Sequence, residues 1–146
     1  MAFDTSNGGI VNEGINHILN TEFHAGSQET TWYIGLLYTQ SAPPFNANDV
    51  MSSHEGWIEI TDYDEAARQE FVEAGASGGS ITNSANKATF SINGECTIDG
   101  AFLCSDSTKN GTTGILMAER LFEEGTRSLQ AGDEIQVTVT ITLTQQ

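Results

Sequence analysis

Basic residues are scarce in this chain of 146 residues, which has five Lys and Arg against 20 Asp and Glu and a net charge of −15. Nucleic acids and anionic membranes are bound through clusters of basic side chains, which five residues cannot supply. The composition therefore predicts no nucleic-acid partner and no membrane partner. A charge of this sign would suit docking on a basic surface, and plain solubility is the alternative explanation.

Long apolar runs are absent as well. No window approaches the ~18 consecutive apolar residues that a membrane-spanning helix needs. The opening segment MAFDTSNGG lacks the basic and apolar regions of a secretory signal, so we expect the protein to be made and used without export.

In a reducing compartment Cys96 and Cys104 are expected to remain free thiols. A structural zinc site needs four ligands, so this pair does not predict one.

Catalytic and metal-binding motifs are also missing. The histidines are His17, His24 and His54. They fit neither a Ser-His-Asp order nor a His-x-His pair, and no G-x-S-x-G segment is present. Asp62, Asp64 and Glu65 could bind calcium weakly, but the EF-hand spacing is absent and a solvated acidic face is favoured. The sequence predicts a protein that is not an enzyme and has no cofactor or metal.

Aromatic residues could form a sugar-binding platform or a core. The Trp and Tyr residues considered are Trp32, Tyr33, Tyr38, Trp57 and Tyr63. Four of these five lie inside or beside apolar strand patterns, which favours core packing over carbohydrate stacking.

The apolar pattern that is present predicts a mainly β protein with one early helix. Spacings of three and four between Ile10 and Leu19 predict a short helix over about residues 9 to 20, with Gly26 as its C-cap. Strand patterns cover 31–39, 87–93, 96–104, 114–122 and 135–143. The segment from Trp57 is a strand or an extended edge, and 64–75 is ambiguous between helix and strand. Loops are predicted over 75–84 and 123–133.

One turn signal decides whether residues 96–104 are predicted as one strand or two. Asp99-Gly100 leaves little length on either side, so a bulge within one strand over 96–104 is favoured over a hairpin. No internal repeat and no domain boundary is visible. We therefore predict one domain over residues 1–146, folded as an antiparallel β-sandwich, jelly-roll-like or Ig-like, with a short N-terminal helix.

The last predicted strand has two chemically different faces. Aliphatic residues occupy every second position from Ile135 to Leu143, and no charged residue stands between them. The other face carries Thr138, Thr140 and Thr142. An uncharged hydroxyl face can lie against a polar partner without the desolvation cost of charges, which makes these threonines candidate interface residues. Ordinary solvent exposure of a good strand former is the alternative.

Five segments cover most of the chain: NGGIVNEGINHILNTEF, TWYIGLLYTQSAPPFNAND, WIEITDYDEAARQEF, ATFSINGECTIDGAFLCSD and GILMAERLFEEGTRSLQAGDEIQVTVTITLTQ. Their motifs include a Tyr-Ile-Gly-Leu strand, a Tyr-x-x-x-x-Arg segment from Tyr63 to Arg68, and a closing Gly-Asp strand. In these segments and motifs the chain resembles small virion structural proteins of tailed bacteriophages. These are packing and turn motifs rather than chemical ones. The resemblance implies a β-sandwich that decorates the head or sits in a tail appendage, with no catalytic residues.

The function expected from this resemblance is that of a capsid decoration, or cement, protein in the virion, assembled in the host cytoplasm. Its partners would be the major capsid protein and copies of itself. Residues 1–9 are small, polar and glycine-bearing, which predicts an extended anchoring arm with Asp4 and Asn7 as candidate contacts. A tail-fibre, neck or baseplate component is one alternative. A receptor- or glycan-binding module is an alternative of another class.

The two faces of the last strand predict opposite outcomes for two neighbouring substitutions. Val139→Asp should destabilise the fold severely, because an unpaired carboxylate facing the core costs several kcal/mol, on the order of the whole stability of a small domain. Thr140→Asp should be tolerated, because its side chain points the other way. Thermal unfolding of both variants is the measurement. Equal losses of melting temperature would show that both faces are buried.

Overall fold

The computed structural model describes residues 3–145, which form twelve β-strands and one α-helix. The helix α1 spans Asn12–Phe23. The strands are β1 (Gly8–Ile10), β2 (Tyr33–Thr39), β3 (Trp57–Ile60), β4 (Gln69–Glu70), β5 (Ser80–Thr82), β6 (Ala88–Ser91), β7 (Cys96–Ile98), β8 (Gly100–Cys104), β9 (Leu116–Leu121), β10 (Arg127–Leu129), β11 (Glu134–Val137) and β12 (Thr140–Thr142).

Six strands form the main sheet, in the order β1-β9-β8-β2-β3, with β4 also paired to β2. The other six strands form three two-stranded ribbons: β10 with β7, β11 with β6, and β12 with β5. Every pairing is antiparallel. The predicted fold class is confirmed: the chain is mainly β and antiparallel, sandwich-like, with one short N-terminal helix.

One face of the main sheet packs against the ribbons. Ile34 and Leu36 of β2 and Leu103 of β8 lie on this face and share a buried cluster with Phe90 of β6 and Val137 of β11. Side chains alternate between the two faces of each strand, so Ile34 and Leu36 of β2 and Ala101 and Leu103 of β8 enter this cluster. This first core holds the ribbons to the sheet by burial of apolar surface.

The opposite face of the main sheet carries a second buried cluster. Phe102 lies at its centre, where a Cβ on Gly35 of the neighbouring strand would come within 2.2 Å of the ring. The glycine of the Tyr-Ile-Gly-Leu strand therefore makes room for this aromatic side chain. The residues that cover the cluster from outside the sheet are Val11, Phe45 and Met51, with Phe3 partly buried against them.

The helix begins and ends later than predicted. It spans Asn12–Phe23 rather than 9 to 20, because Gly8–Ile10 pairs with β9 as an edge strand. Ala25, with φ of 53°, takes the left-handed conformation after the helix, and Gly26 donates its N–H to the Asn20 carbonyl at 2.9 Å. The helix thus ends through a left-handed residue as expected, but that residue is Ala25.

Within the segment predicted as an extended arm, residues 1–9, residues 5–7 form a turn, and Gly8 and Gly9 belong to the edge strand β1. Gly8 and Gly9 are buried and pair with Arg120 and Glu119. A Cβ on Gly8, whose φ is +93°, would lie 2.1 Å from the Glu119 carbonyl oxygen. These glycines allow close approach of two backbones rather than flexibility. Met1 and Ala2 lie outside the described residues.

Two of the predicted loops contain strands. The 75–84 segment holds β5, and the 123–133 segment holds β10. The ambiguous 64–75 segment is largely irregular, with only the two-residue β4. Each of these strands has two or three residues, and its pairing depends on a partner strand elsewhere in the chain, which local residue patterns do not reveal.

The predicted bulged strand over 96–104 is two strands in different sheets. The chain turns from the β10–β7 ribbon into the main sheet at Asp99, whose buried carboxylate accepts hydrogen bonds from the Thr39 N–H and hydroxyl. Asp99 N–H donates to Leu37 at 3.1 Å, so the residue remains hydrogen-bonded where it separates β7 from β8. The two strands do not form a hairpin. Cys96 and Cys104 are free.

The final strand is divided between two partners. Strand β11 pairs with β6 and β12 pairs with β5, with Thr138 and Val139 between them. At this break the buried Asn83 side chain accepts from Val139 N–H at 2.7 Å and donates to the Val137 carbonyl at 3.2 Å. The predicted alternation nevertheless holds through Ile141, whereas the terminal aliphatic residue, Leu143, is 63% exposed.

Asn83→Ala should destabilise the protein by about 2–4 kcal/mol, because each buried backbone group left without a partner costs about 1–3 kcal/mol. Asn86→Ala is the matched control: Asn86 is exposed, and it is bonded here through its backbone, which the substitution leaves in place. Urea unfolding of both variants measures the difference. If both unfold at the wild-type midpoint, the Asn83 amide does not hold the break between β11 and β12.

Candidate functional site

Hydroxyl side chains of the paired strands β5 and β12 lie opposite one another and form a surface without charged groups. The Thr140 hydroxyl donates to the Thr82 hydroxyl or accepts from it at 3.0 Å, and Thr142 and Ser80 do the same at 2.8 Å. Thr140 is exposed, and Thr142 is half-buried. Neither strand contains an Asp, Glu, Lys or Arg. We call this set, Ser80, Thr82, Thr140 and Thr142, the hydroxyl face.

The other predicted interface residues lie around different elements. Thr138 is exposed at the break before β12. Asp4 and Asn7 belong to a turn that precedes β1, in which the Gly8 N–H donates to the Asp4 carbonyl at 2.6 Å and the Leu121 N–H donates to the Asn7 carbonyl at 3.1 Å. The structure thus groups Thr140 and Thr142 on one ribbon and places Asp4 and Asn7 against the edge of the main sheet.

A buried carboxyl group lies on the second face of the main sheet. Glu119 of β9 is 0% exposed, and its Oε2 accepts from the Trp57 indole N–H at 2.7 Å. Trp57 packs beside Phe102 with ring centroids 4.9 Å apart, and His54 stacks on it at 3.7 Å. The indole, the imidazole and the sheet together exclude water from the carboxyl group.

The protonated form of Glu119 fits this environment. Burial, together with the neighbouring Asp49 carboxylate, raises the pKa of Glu119 to about 9. As a carboxylate, Glu119 would leave Oε1 without a donor. As a carboxylic acid it carries a hydroxyl group that can donate to the neighbouring Asp49 side chain. Glu119 is therefore a neutral hydrogen-bonding group at pH 7.

An ion pair is buried a short distance away on the same face. Arg68 is 2% exposed, and its Nε and Nη2 donate to the two carboxylate oxygens of Glu59 at 2.9 and 2.7 Å. Its remaining N–H groups reach the Cys104 sulfur and the carbonyls of Asp106 and Gly111. The guanidinium also lies 5.1 Å from the centre of the Phe102 ring. The arginine of the Tyr-x-x-x-x-Arg segment is thus an interior residue.

The tyrosine of that segment is buried as well. Lys109 lies 3.8 Å from the centre of the Tyr63 ring and donates to the Tyr63 and Glu65 carbonyls, both at 2.7 Å. Burial, and next the Glu59 carboxylate, raise the pKa of Tyr63 well above its usual value. Arg68 and Lys109 together hold the 105–115 loop, so two of the five basic residues serve internal structure.

These interior groups are not arranged as a catalytic site. Burial raises the pKa of the Cys104 thiol, which keeps it protonated rather than nucleophilic. Glu119 and Arg68 are closed off from solvent. Glu65 accepts from the Ser91 N–H and hydroxyl, so it ties its segment to β6. Within residues 3–145, no three His, Cys, Asp or Glu side chains converge to hold a metal ion.

The burial of Glu119, Glu59 and Asp49 was not predicted from the sequence. Glu119 does stand inside an apolar strand segment, MAERL, and a charged residue at a core position of a strand is a signal for a buried polar contact. Glu59 stands similarly between Ile58 and Ile60. No comparable signal marks Asp49, which lies outside any regular element. Its contact with Glu119 depends on how the 45–57 segment folds over the sheet.

The aromatic residues considered as a sugar platform are mostly interior. Trp57 and Tyr63 are each 1% exposed. Trp32, Tyr33 and Tyr38 are half-buried. None of these five presents a fully exposed ring face, which agrees with the core packing favoured by the sequence.

Apolar side chains remain exposed in two other places. One is a stripe on α1 formed by Ile15, Leu19 and Phe23, spaced four residues apart. The other is a groove of about 690 Å³ between α1, the 28–32 and 70–76 segments and the β5–β12 ribbon. No helix in the described part of the chain is long and apolar enough to cross a membrane.

Comparison of the sequence with models of known protein families, and with curated proteins, gives no match. The interpretation as a virion protein therefore depends on the quoted segments and on the chemistry of the surfaces described above.

Ionisation of Glu119 should make stability fall as pH rises. Its pKa is higher in the folded protein than in the unfolded chain, so its contribution is fully present below about pH 4.5 and is lost as pH approaches 9. Glu119→Gln keeps an acceptor for Trp57 but cannot ionise. In the wild-type protein we expect Glu119 to lower the free energy of unfolding by on the order of 1 kcal/mol per pH unit between pH 6 and 8. This decrease should be absent in the Glu119→Gln variant.

Denaturant unfolding at several pH values measures this slope. Glu123→Gln is the matched control, because it makes the same Glu-to-Gln substitution at an exposed position. It should leave the slope produced by the buried carboxyl group in place. An identical pH dependence in both variants would mean that Glu119 does not carry the effect.

Proposed function

We propose that the protein is a non-enzymatic structural protein of a tailed-bacteriophage virion, and that it acts as a capsid decoration protein bridging major capsid subunits. The observation that carries the proposal is the hydroxyl face on β5 and β12. In a chain with a net charge of −15, these two paired strands have no charged residue. A partner can cover such a face without removing charges from water.

The remaining surface supports the same proposal through its charge. Arg68 and Lys109 are used in internal contacts, which leaves Lys87, Arg120 and Arg127 as the other basic residues. Few cations are therefore left on the exterior to offset its carboxylates. An acidic exterior would steer the protein towards a basic rim on the shell, while the neutral face forms the contact.

The other function classes have less support. A glycan-binding module would need exposed aromatic rings, and the five aromatic residues considered are buried or half-buried. An enzyme would need reactive groups that a substrate can reach, and the polar groups of the second face are closed off. A tail-fibre, neck or baseplate component shares the same surface chemistry, so location in the particle separates it from a decoration protein.

Thr140→Asp should abolish most binding to heads while the protein stays folded. A charge at the centre of a covered neutral face lowers affinity about tenfold or more, because each 1.4 kcal/mol of desolvation cost is a factor of ten. Thr112→Asp is the matched control, since it adds the same charge to an exposed position in the 105–115 loop. Binding would be measured by co-sedimentation with heads stripped of their resident copies.

Three outcomes would contradict this proposal. Equal binding of the Thr140→Asp and Thr112→Asp variants would exclude the hydroxyl face as the contact. Labelling of tails instead of heads in intact particles would assign the protein to a tail appendage. Saturable binding to a glycan array without binding to heads would favour the receptor- or glycan-binding class.

A further inference from the structure

The groove beside the β5–β12 ribbon is a place where the first core is incompletely covered. Its floor contains Phe71, Leu103 and Met117, which belong to the buried cluster between sheet and ribbons. Trp32 and Ile141 pack against the same cluster and are only half-buried. The groove therefore offers apolar surface that is continuous with the interior of the protein.

The rim of the groove is acidic and partly apolar. Its carboxylates are those of Glu29, Glu70 and Glu73, and no Lys or Arg occurs among the described residues that line it. Val72 and Leu143, also lining residues, are 44% and 63% exposed. The rim thus has one sign of charge around an apolar floor.

We propose that this groove binds a segment of another protein that carries a bulky apolar side chain flanked by Lys or Arg. The apolar side chain would cover the open part of the core, which stabilises the complex by removing apolar surface from water. The flanking cations would lie beside the rim carboxylates. Charge complementarity selects such a partner, because acidic or neutral flanking residues would have no electrostatic attraction to the rim carboxylates.

The exposed stripe on α1 provides a contrast within the same molecule. Ile15, Leu19 and Phe23 have asparagines beside them on the helix, at positions 12, 16 and 20. That stripe has neither a concave floor nor a rim of one charge. It therefore serves as an internal control for non-specific apolar contact.

The first test uses a defined peptide probe, acetyl-Lys-Lys-Ser-Leu-Phe-Ser-Lys-Lys-amide, titrated against the full chain and followed by fluorescence anisotropy of a dye on the peptide. We expect saturable one-to-one binding with Kd below about 1 mM. A second peptide replaces the lysines with glutamates, and a third replaces Leu-Phe with Ser-Ser. Both should bind at least about tenfold more weakly, since each loses one of the two required features.

Variants of the protein locate the peptide. Leu143→Ser removes apolar surface from an exposed rim residue without changing the charge and should weaken binding about fivefold or more, whereas Leu19→Ser, on the helix stripe, should leave Kd unchanged. Removing the rim charges with Glu70→Gln and Glu73→Gln should weaken binding about two- to fivefold per carboxylate. Glu123→Gln and Glu124→Gln are the charge-matched controls away from the groove.

Three results would overturn the proposal. Equal binding of the lysine- and glutamate-flanked peptides would remove the charge complementarity. Equal effects of Leu143→Ser and Leu19→Ser would mean non-specific apolar contact. Self-association in sedimentation equilibrium that Leu143→Ser abolishes would make a second copy the occupant. The proposal does not depend on placement in a virion, and the head-binding test uses different variants, so either can fail alone.

Discussion

The Arg68 guanidinium is the contact on which much of the structure depends. All five of its N–H groups have acceptors: two oxygens of Glu59, the Cys104 sulfur and two loop carbonyls. One side chain thereby joins β3, β8 and the 105–115 loop. Truncating it would leave the Asn110 N–H as the remaining donor to the buried Glu59 carboxylate. Breaking a buried ion pair in this way costs about 3–5 kcal/mol.

The main sheet separates two different kinds of interior. On the ribbon side the core is apolar, and short two-stranded elements are held mainly by burial. On the other side aromatic rings are mixed with a neutral carboxylic acid and an ion pair. Polar contacts of this kind are directional, so they specify how the irregular 45–57 and 105–115 segments lie against the sheet. The surfaces proposed for binding lie on the apolar side, where irregular structure leaves part of the core open.

Local patterns predicted the parts of the fold that carry long periodic segments. The alternation from Ile135 to Ile141 correctly separated an inner and an outer face, and Tyr33–Thr39 was found almost to the residue. Strands β5 and β10 were missed because three residues carry too little pattern, and their pairing is non-local. The close packing of Gly8 was not predicted, because a glycine in sequence indicates flexibility and close packing equally well.

The candidate surfaces were predictable to a smaller extent. The threonine rows follow from alternation alone, but their bonds to Ser80 and Thr82 depend on a strand that the sequence did not predict. The groove joins α1, two loops and the β5–β12 ribbon, and no local pattern brings these together. The buried groups Glu119 and Asp49 come from positions 70 residues apart. Such contacts arise from topology rather than from local residue preference.

The internal use of Lys109 has a practical consequence for chemical modification. The chain has two lysines, Lys87 and Lys109, and the ammonium group of Lys109 is held between two carbonyls and a tyrosine ring. Lys87 is exposed, so it is the one accessible lysine side chain in residues 3–145. Amine-directed dyes, biotin or resin linkages should therefore react with the Lys87 side chain in preference to that of Lys109. Lys87 thus offers one natural side-chain attachment point within these residues, without an engineered one.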